Sequence, residues 1–141
     1  MNNARLIRLG LYFLIFVNVL LLNVILHEIG HYVIADYYNL DPKIEFSLEN
    51  IRNFSLNFNS VPLADTSFND PKNHSSLADV AMAGPAVNLF LGIIFFFIFI
   101  FNKKREYLRE IMIIAMMVSF VSFIMNMLPL SGSDGSLIFG L

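Results

Sequence analysis

Residues 6–38 read LIRLGLYFLIFVNVLLLNVILHEIGHYVIADYY. From Leu9 to Leu26 the run is almost wholly apolar, broken by Gly10, Asn18 and Asn23, and it passes directly into His27-Glu28-Ile29-Gly30-His31. Arg5 and Arg8 at its head resemble the start of a signal peptide. No small-residue cleavage site follows, however, and the apolar run is too long for a signal core. The stretch therefore predicts a helix from about Leu6 to about Tyr38. At 1.5 Å per residue it is about 50 Å long, enough to cross a hydrocarbon core of about 30 Å and project beyond it. Asn23, His27 and His31 recur at i, i+4 and i+8 and form one polar stripe on that helix. Gly30 beside them allows a second segment to approach closely. Asn23 reads equally as an interhelical hydrogen-bonding group.

On a helix His27 and His31 point the same way, one turn apart, and both can offer an imidazole nitrogen to a single Zn²⁺. Glu28 is rotated by roughly 100°, which suits a base for water better than a third ligand. Two nitrogen ligands, an open coordination position and a base are what metal-assisted peptide hydrolysis needs. The competing reading is a helix that carries two histidines and a glutamate by chance. Ionisable groups at membrane depth are costly and usually have a task, which favours the metal reading.

Composition agrees with a membrane setting. The 141 residues are 57% hydrophobic and 14% charged, with a mean hydropathy of +0.66, and the length suits a single domain over 1–141. A net charge of -2 gives no basis for a nucleic-acid partner. Cysteine is absent, so thiolate ligands, a cysteine nucleophile and disulfides are excluded. Any metal must be held by His, Asp or Glu, and two of the three histidines already lie in the motif.

Residues 39–76 are polar and broken by Asp41-Pro42, Val61-Pro62 and Asp70-Pro71. Ile44, Phe46 and Leu48, then Phe54, Leu56 and Phe58, alternate with polar residues on either side of Asn50 to Asn53. That pattern predicts a β-hairpin over about 43–59, with His74 a solvated loop residue. A second spanning helix is expected over about 77–101. Ala81, Gly84, Asn88 and Gly92 share a face of it, a pattern of small residues that promotes close packing and leaves Asn88 unexplained. Pro85 near its start is tolerated, and the phenylalanines from Phe95 to Phe101 read as lipid-facing bulk. After a charged turn, a third helix is expected over about 110–128, with Ala115, Ser119, Ser122 and Asn126 on one face. Pro129, Gly132 and Gly135 then force a break, and irregular backbone at membrane depth is tolerated where it lines a cavity or is buried in protein. Asp134, delivered by that break, reads as a third metal ligand; the alternative is a helix N-cap.

The fold class expected is thus a mainly α-helical membrane protein, with three transmembrane helices and a β-hairpin between the first and second. Three elements together resemble the site-2 proteases, the intramembrane zinc metalloproteases of peptidase family M50. They are His27-Glu28-x-x-His31 in one helix, Gly84-Pro85-x-x-Asn88 opening the next, and Asn126-x-x-Pro129 followed by Asp134-Gly135. The resemblance implies one Zn²⁺ held by His27, His31 and Asp134, with Glu28 as catalytic base. It also implies that Asn88, Asn126 and Gly84 position the substrate or its oxyanion. The partners implied are the lipid bilayer and a transmembrane or membrane-associated protein substrate, cleaved in or near its transmembrane segment. The location implied is a multi-pass integral protein of the cell membrane in a prokaryote. A non-catalytic membrane protein of the same fold, binding a partner or a metal, is the alternative.

Two departures stand out. Ser133 occupies a position that is usually apolar in the family, and the chain ends at Leu141 where the family's helix normally continues. A minimal or C-terminally truncated member is therefore expected. Orientation is contested between two arguments. Lys and Arg in the short loops favour a cytoplasmic N-terminus, whereas the resemblance implies the reverse, which is the orientation adopted here.

Overall fold

The computed structural model describes residues 3–46, 64–69, 74–130 and 133–139. Its elements run α1 (Asn3–Tyr37), β1 (Lys43–Phe46), β2 (Ala64–Ser67), α2 (His74–Phe101), α3 (Glu106–Met127) and α4 (Asp134–Phe139). The first three helices are long and apolar enough to cross a membrane, and a two-stranded sheet lies between the first and second. The expected fold class is the one observed.

The molecule is packed as a protein in lipid. Among the described residues the buried hydrophobic ones are small (Ala35, Ala64, Val80, Ala81, Ala115 and Val118), while Phe13, Phe90, Phe97 and many other large apolar residues are exposed. Water would penalise such a surface; hydrocarbon does not, so close packing of small residues takes over as the cohesive term. A Cβ on Gly30 would meet the Ala83 carbonyl oxygen at 2.8 Å and Val87 Cγ2 at 2.9 Å, so α1 and α2 touch backbone to backbone there. The expected small-residue face of α2 is buried at Ala81, Gly84, Asn88 and Gly92, which makes α2 the central helix.

Helix ends follow local chemistry. α1 stops at a turn in which Asn39 takes a positive φ of 57°, and the Leu40 N–H donates to the Ala35 carbonyl at 3.0 Å. Asn tolerates this left-handed conformation better than most residues. Across the turn the Tyr38 hydroxyl donates to Asp79 Oδ2 at 2.5 Å, and this bond pushes the phenol pKa up. At the other end of the bundle Arg8 Nη2 lies 2.6 Å from Glu110 Oε1, and the Tyr12 hydroxyl donates to the same carboxylate, joining α1 to α3.

Three details differ from expectation. α2 begins at His74, so that histidine opens a helix instead of sitting in a loop. Pro85, expected near the start of the helix, lies well inside α2. Having no N–H, it leaves the Ala81 carbonyl without its usual helical donor, and its ring crowds that turn. Finally, β1 pairs antiparallel with β2 in the register Lys43–Ser67 to Phe46–Ala64. The strand expected over Phe54 to Phe58 lies outside the described residues.

Candidate metal centre and catalytic site

The HExxH segment lies on α1 where α2, β2 and α4 converge. His27, Glu28 and His31 are buried at 7%, 8% and 6% exposure. Both histidines turn Nε2 inward, 3.0 Å apart. Asp134, the first residue of α4, faces them: its Oδ2 lies 3.1 Å from His27 Nε2 and its Oδ1 3.3 Å from His31 Nε2. The separation in sequence is more than a hundred residues, and the break after α3 closes it. There the Ser133 hydroxyl donates to the Leu128 carbonyl at 2.5 Å and accepts from the Leu130 N–H at 3.2 Å. A Cβ on Gly135 would collide with the carbonyl oxygens of Met127 and Leu128, so only glycine lets α4 fold back this closely. Ser133, the departure noted from sequence, thus pins the turn that presents Asp134.

This donor set fits a zinc ion. Ligands bound to one Zn²⁺ at about 2.0–2.2 Å in a tetrahedral array stand about 3.3–3.6 Å apart, a few tenths of an ångström from the distances seen. Asp134 Oδ2 is buried and has no hydrogen-bond partner among the described residues, although an imidazole nitrogen is 3.1 Å away. A buried, orphaned carboxylate oxygen is costly, and an arrangement in which three donors face a common point is relieved by a cation there. The outer ring nitrogen of His31 supports the same reading. Its Nδ1 lies 2.7 Å from the Val80 carbonyl, so Nδ1–H donates to that oxygen and Nε2 keeps its lone pair for the centre.

The residues around the donors line two cavities. One, of about 160 Å³, is bordered by His27, Glu28, His31, Thr66, Asn126 and Asp134. The other, of about 190 Å³, is bordered by Asn23, His27, Glu28, Asn88, Ser122 and Asn126. Glu28 therefore faces both. The Thr66 hydroxyl donates to Glu28 Oε2 at 2.7 Å, and Thr66 shares the buried face of β2 with Ala64 while Asp65 and Ser67 are exposed. Thr66 was invisible in the sequence, where Ala64 to Ser67 carries neither an apolar alternation nor a motif.

Gly84 lies in the site for a steric reason. A Cβ there would fall 2.7 Å from both Nε2 and Cε1 of His27 and closer still to His31 Nε2, so its absence makes room for both imidazoles. Asn88 is 1% exposed, with its carboxamide nitrogen 3.0 Å from His27 Nδ1. Asn126 borders both cavities. Asn23 bonds back to its own helix, through Nδ2 to the Val19 carbonyl at 3.0 Å.

Fold and site together define an integral membrane protein with two histidines and an aspartate gathered between its helices. The sequence pattern of Peptidase family M50 matches residues 15–109, and the chain belongs to that family. The match takes in His27 to His31 and Gly84 to Asn88 and ends before Asn126 and Asp134, which the fold brings to the site. No curated protein and no solved structure matches the chain.

Proposed function

We propose that this protein is an intramembrane zinc metalloprotease that hydrolyses peptide bonds in or near transmembrane segments of membrane proteins. The observation that carries the reading is the meeting of His27 Nε2, His31 Nε2 and the Asp134 carboxylate beside a cavity that Glu28 also lines. His27, His31 and Asp134 would hold Zn²⁺, which would supply Lewis acidity towards a carbonyl oxygen and bring the pKa of water towards about 7.

The chain's own groups do the rest. Glu28, held by Thr66, accepts a proton as water adds to the carbonyl carbon and returns it to the departing nitrogen as the C–N bond breaks. Asn126 borders that cavity and Asn88 the adjoining one, and a side-chain amide there would serve as donor to the carbonyl oxygen as it gains charge. A helical substrate hides its carbonyls in hydrogen bonds, so it must be unwound before attack. Strand β2, which borders the same cavity, offers main-chain pairing for such an extended segment.

The test is cleavage of a model transmembrane peptide by the purified protein in detergent micelles with one equivalent of zinc. Zinc-dependent cleavage, lost to a chelator and restored by added zinc, is expected. A protein that binds one zinc and leaves the peptide intact over a range of sequences would be the non-catalytic member of the fold.

A further inference from the structure

His31 has its outer nitrogen fixed by a backbone carbonyl. His27, by contrast, has only a carboxamide, and a carboxamide can face an imidazole in two ways. With the amide nitrogen of Asn88 towards the ring, 3.0 Å from Nδ1, His27 Nδ1 must accept and the ring proton sits on Nε2, among the donors. In that placement Asn88 Oδ1 is also buried with no hydrogen-bond partner among the described residues. Turning the terminal amide by a half-rotation changes both facts. Oδ1 then accepts from His27 Nδ1–H, Nε2 is left with a lone pair directed at Asp134 and His31, and the amide NH₂ takes the buried place that Oδ1 held. A half-rotation costs little, because the two ends of a carboxamide are nearly the same in shape.

We propose that Asn88 is the positioning residue for His27: its carboxamide oxygen takes the Nδ1 proton and holds the imidazole in the tautomer whose Nε2 can ligate a metal. This rests on the zinc reading above and gives Asn88 a task that substrate positioning alone does not require. Asn88 then resembles the outer carbonyls and carboxylates that commonly orient ligand histidines. Asparagine also suits membrane depth, where a permanently charged partner would be costly.

The experiment measures zinc affinity by competition with a chromophoric chelator on the full-length protein in micelles, independently of proteolysis. Asn88→Ala removes the acceptor and is expected to weaken zinc binding by about 10- to 100-fold. Asn88→Asp keeps an acceptor for Nδ1–H, so it is expected to bind zinc within a few-fold of wild type. Wild-type affinity in Asn88→Ala overturns the proposal. So does an Asn88→Asp protein as weak as Asn88→Ala, since the oxygen would then not be the operative group. The same dependence of zinc affinity on Asn88 in a protein that cleaves nothing would uphold this inference and refute the protease reading.

Discussion

Gly84 offers the sharpest steric test of the site. Replacing it by alanine adds one methyl group where α2 passes beneath the two imidazoles. The new carbon would stand 2.7 Å from His27 Nε2 and Cε1, against ordinary contacts of 3.4–4 Å, and nearer still to His31 Nε2. Relief requires a movement of about 0.7 Å or more. The rings cannot yield freely, because His31 is tied to Val80 and His27 to Asn88. Nor can the helix backbones, since α1 and α2 already touch at Gly30 and Ala83. Overpacking of this kind costs about 1–3 kcal/mol. If that strain falls on the arrangement that holds zinc, affinity drops by about 5- to 140-fold. Chelator competition reads the change, with Gly10→Ala as the control, because nothing lies within 4 Å of a Cβ there. Zinc affinity and thermal stability unchanged from wild type in Gly84→Ala would refute the packing argument.

Other consequences follow from the same geometry. Asp134→Ala, like His27→Ala and His31→Ala, should lower the zinc content of the purified protein; full zinc and activity in Asp134→Ala would place the third ligand elsewhere, with His74 the next residue to change. Thr66→Val should lower kcat with zinc content intact, and Thr66→Ser should restore it by returning the hydroxyl to Glu28; equal rates in all three proteins would free Glu28 from that strand. Single cysteines at Asn2, Asn59 and Lys104, treated in intact cells with a membrane-impermeant thiol reagent, test orientation. Labelling at Asn2 and Lys104 with protection at Asn59 is expected, and the opposite pattern would mean that the Lys and Arg distribution sets the topology.

What could be read from the sequence was whatever left a periodic or compositional trace. Apolar runs of spanning length gave the three helices, and the i, i+4 spacing of His27 and His31 placed two nitrogens on one face. The break at Pro129 singled out Asp134, and the small-residue face of α2 was visible as Ala81, Gly84, Asn88 and Gly92. The remainder depended on contacts distant in sequence. Ala64-Asp65-Thr66-Ser67 has little intrinsic strand preference, so its place in the sheet comes from pairing with β1, and the Thr66 contact with Glu28 comes from packing on α1. Phe54 to Phe58 carries a stronger apolar alternation than Ala64 to Ser67. The polar residues His74-Ser75-Ser76 hide the start of α2 in the sequence, although polar residues suit a helix end that emerges from the bilayer. No pattern could show that Val80 would give its carbonyl to His31, since that contact depends on how α1 and α2 meet around Gly30 and Gly84.

The central claim is that Glu28 works beside a zinc ion without holding it. The most direct measurement is zinc stoichiometry and peptide cleavage on one preparation of Glu28→Gln, beside wild type. Glutamine keeps the shape and a hydrogen bond to Thr66 but cannot take up a proton, so one zinc per chain with cleavage reduced by about 10²- to 10⁴-fold is expected. Cleavage at the wild-type rate would contradict the account by removing Glu28 as the base, and loss of the zinc would contradict it by making Glu28 a ligand.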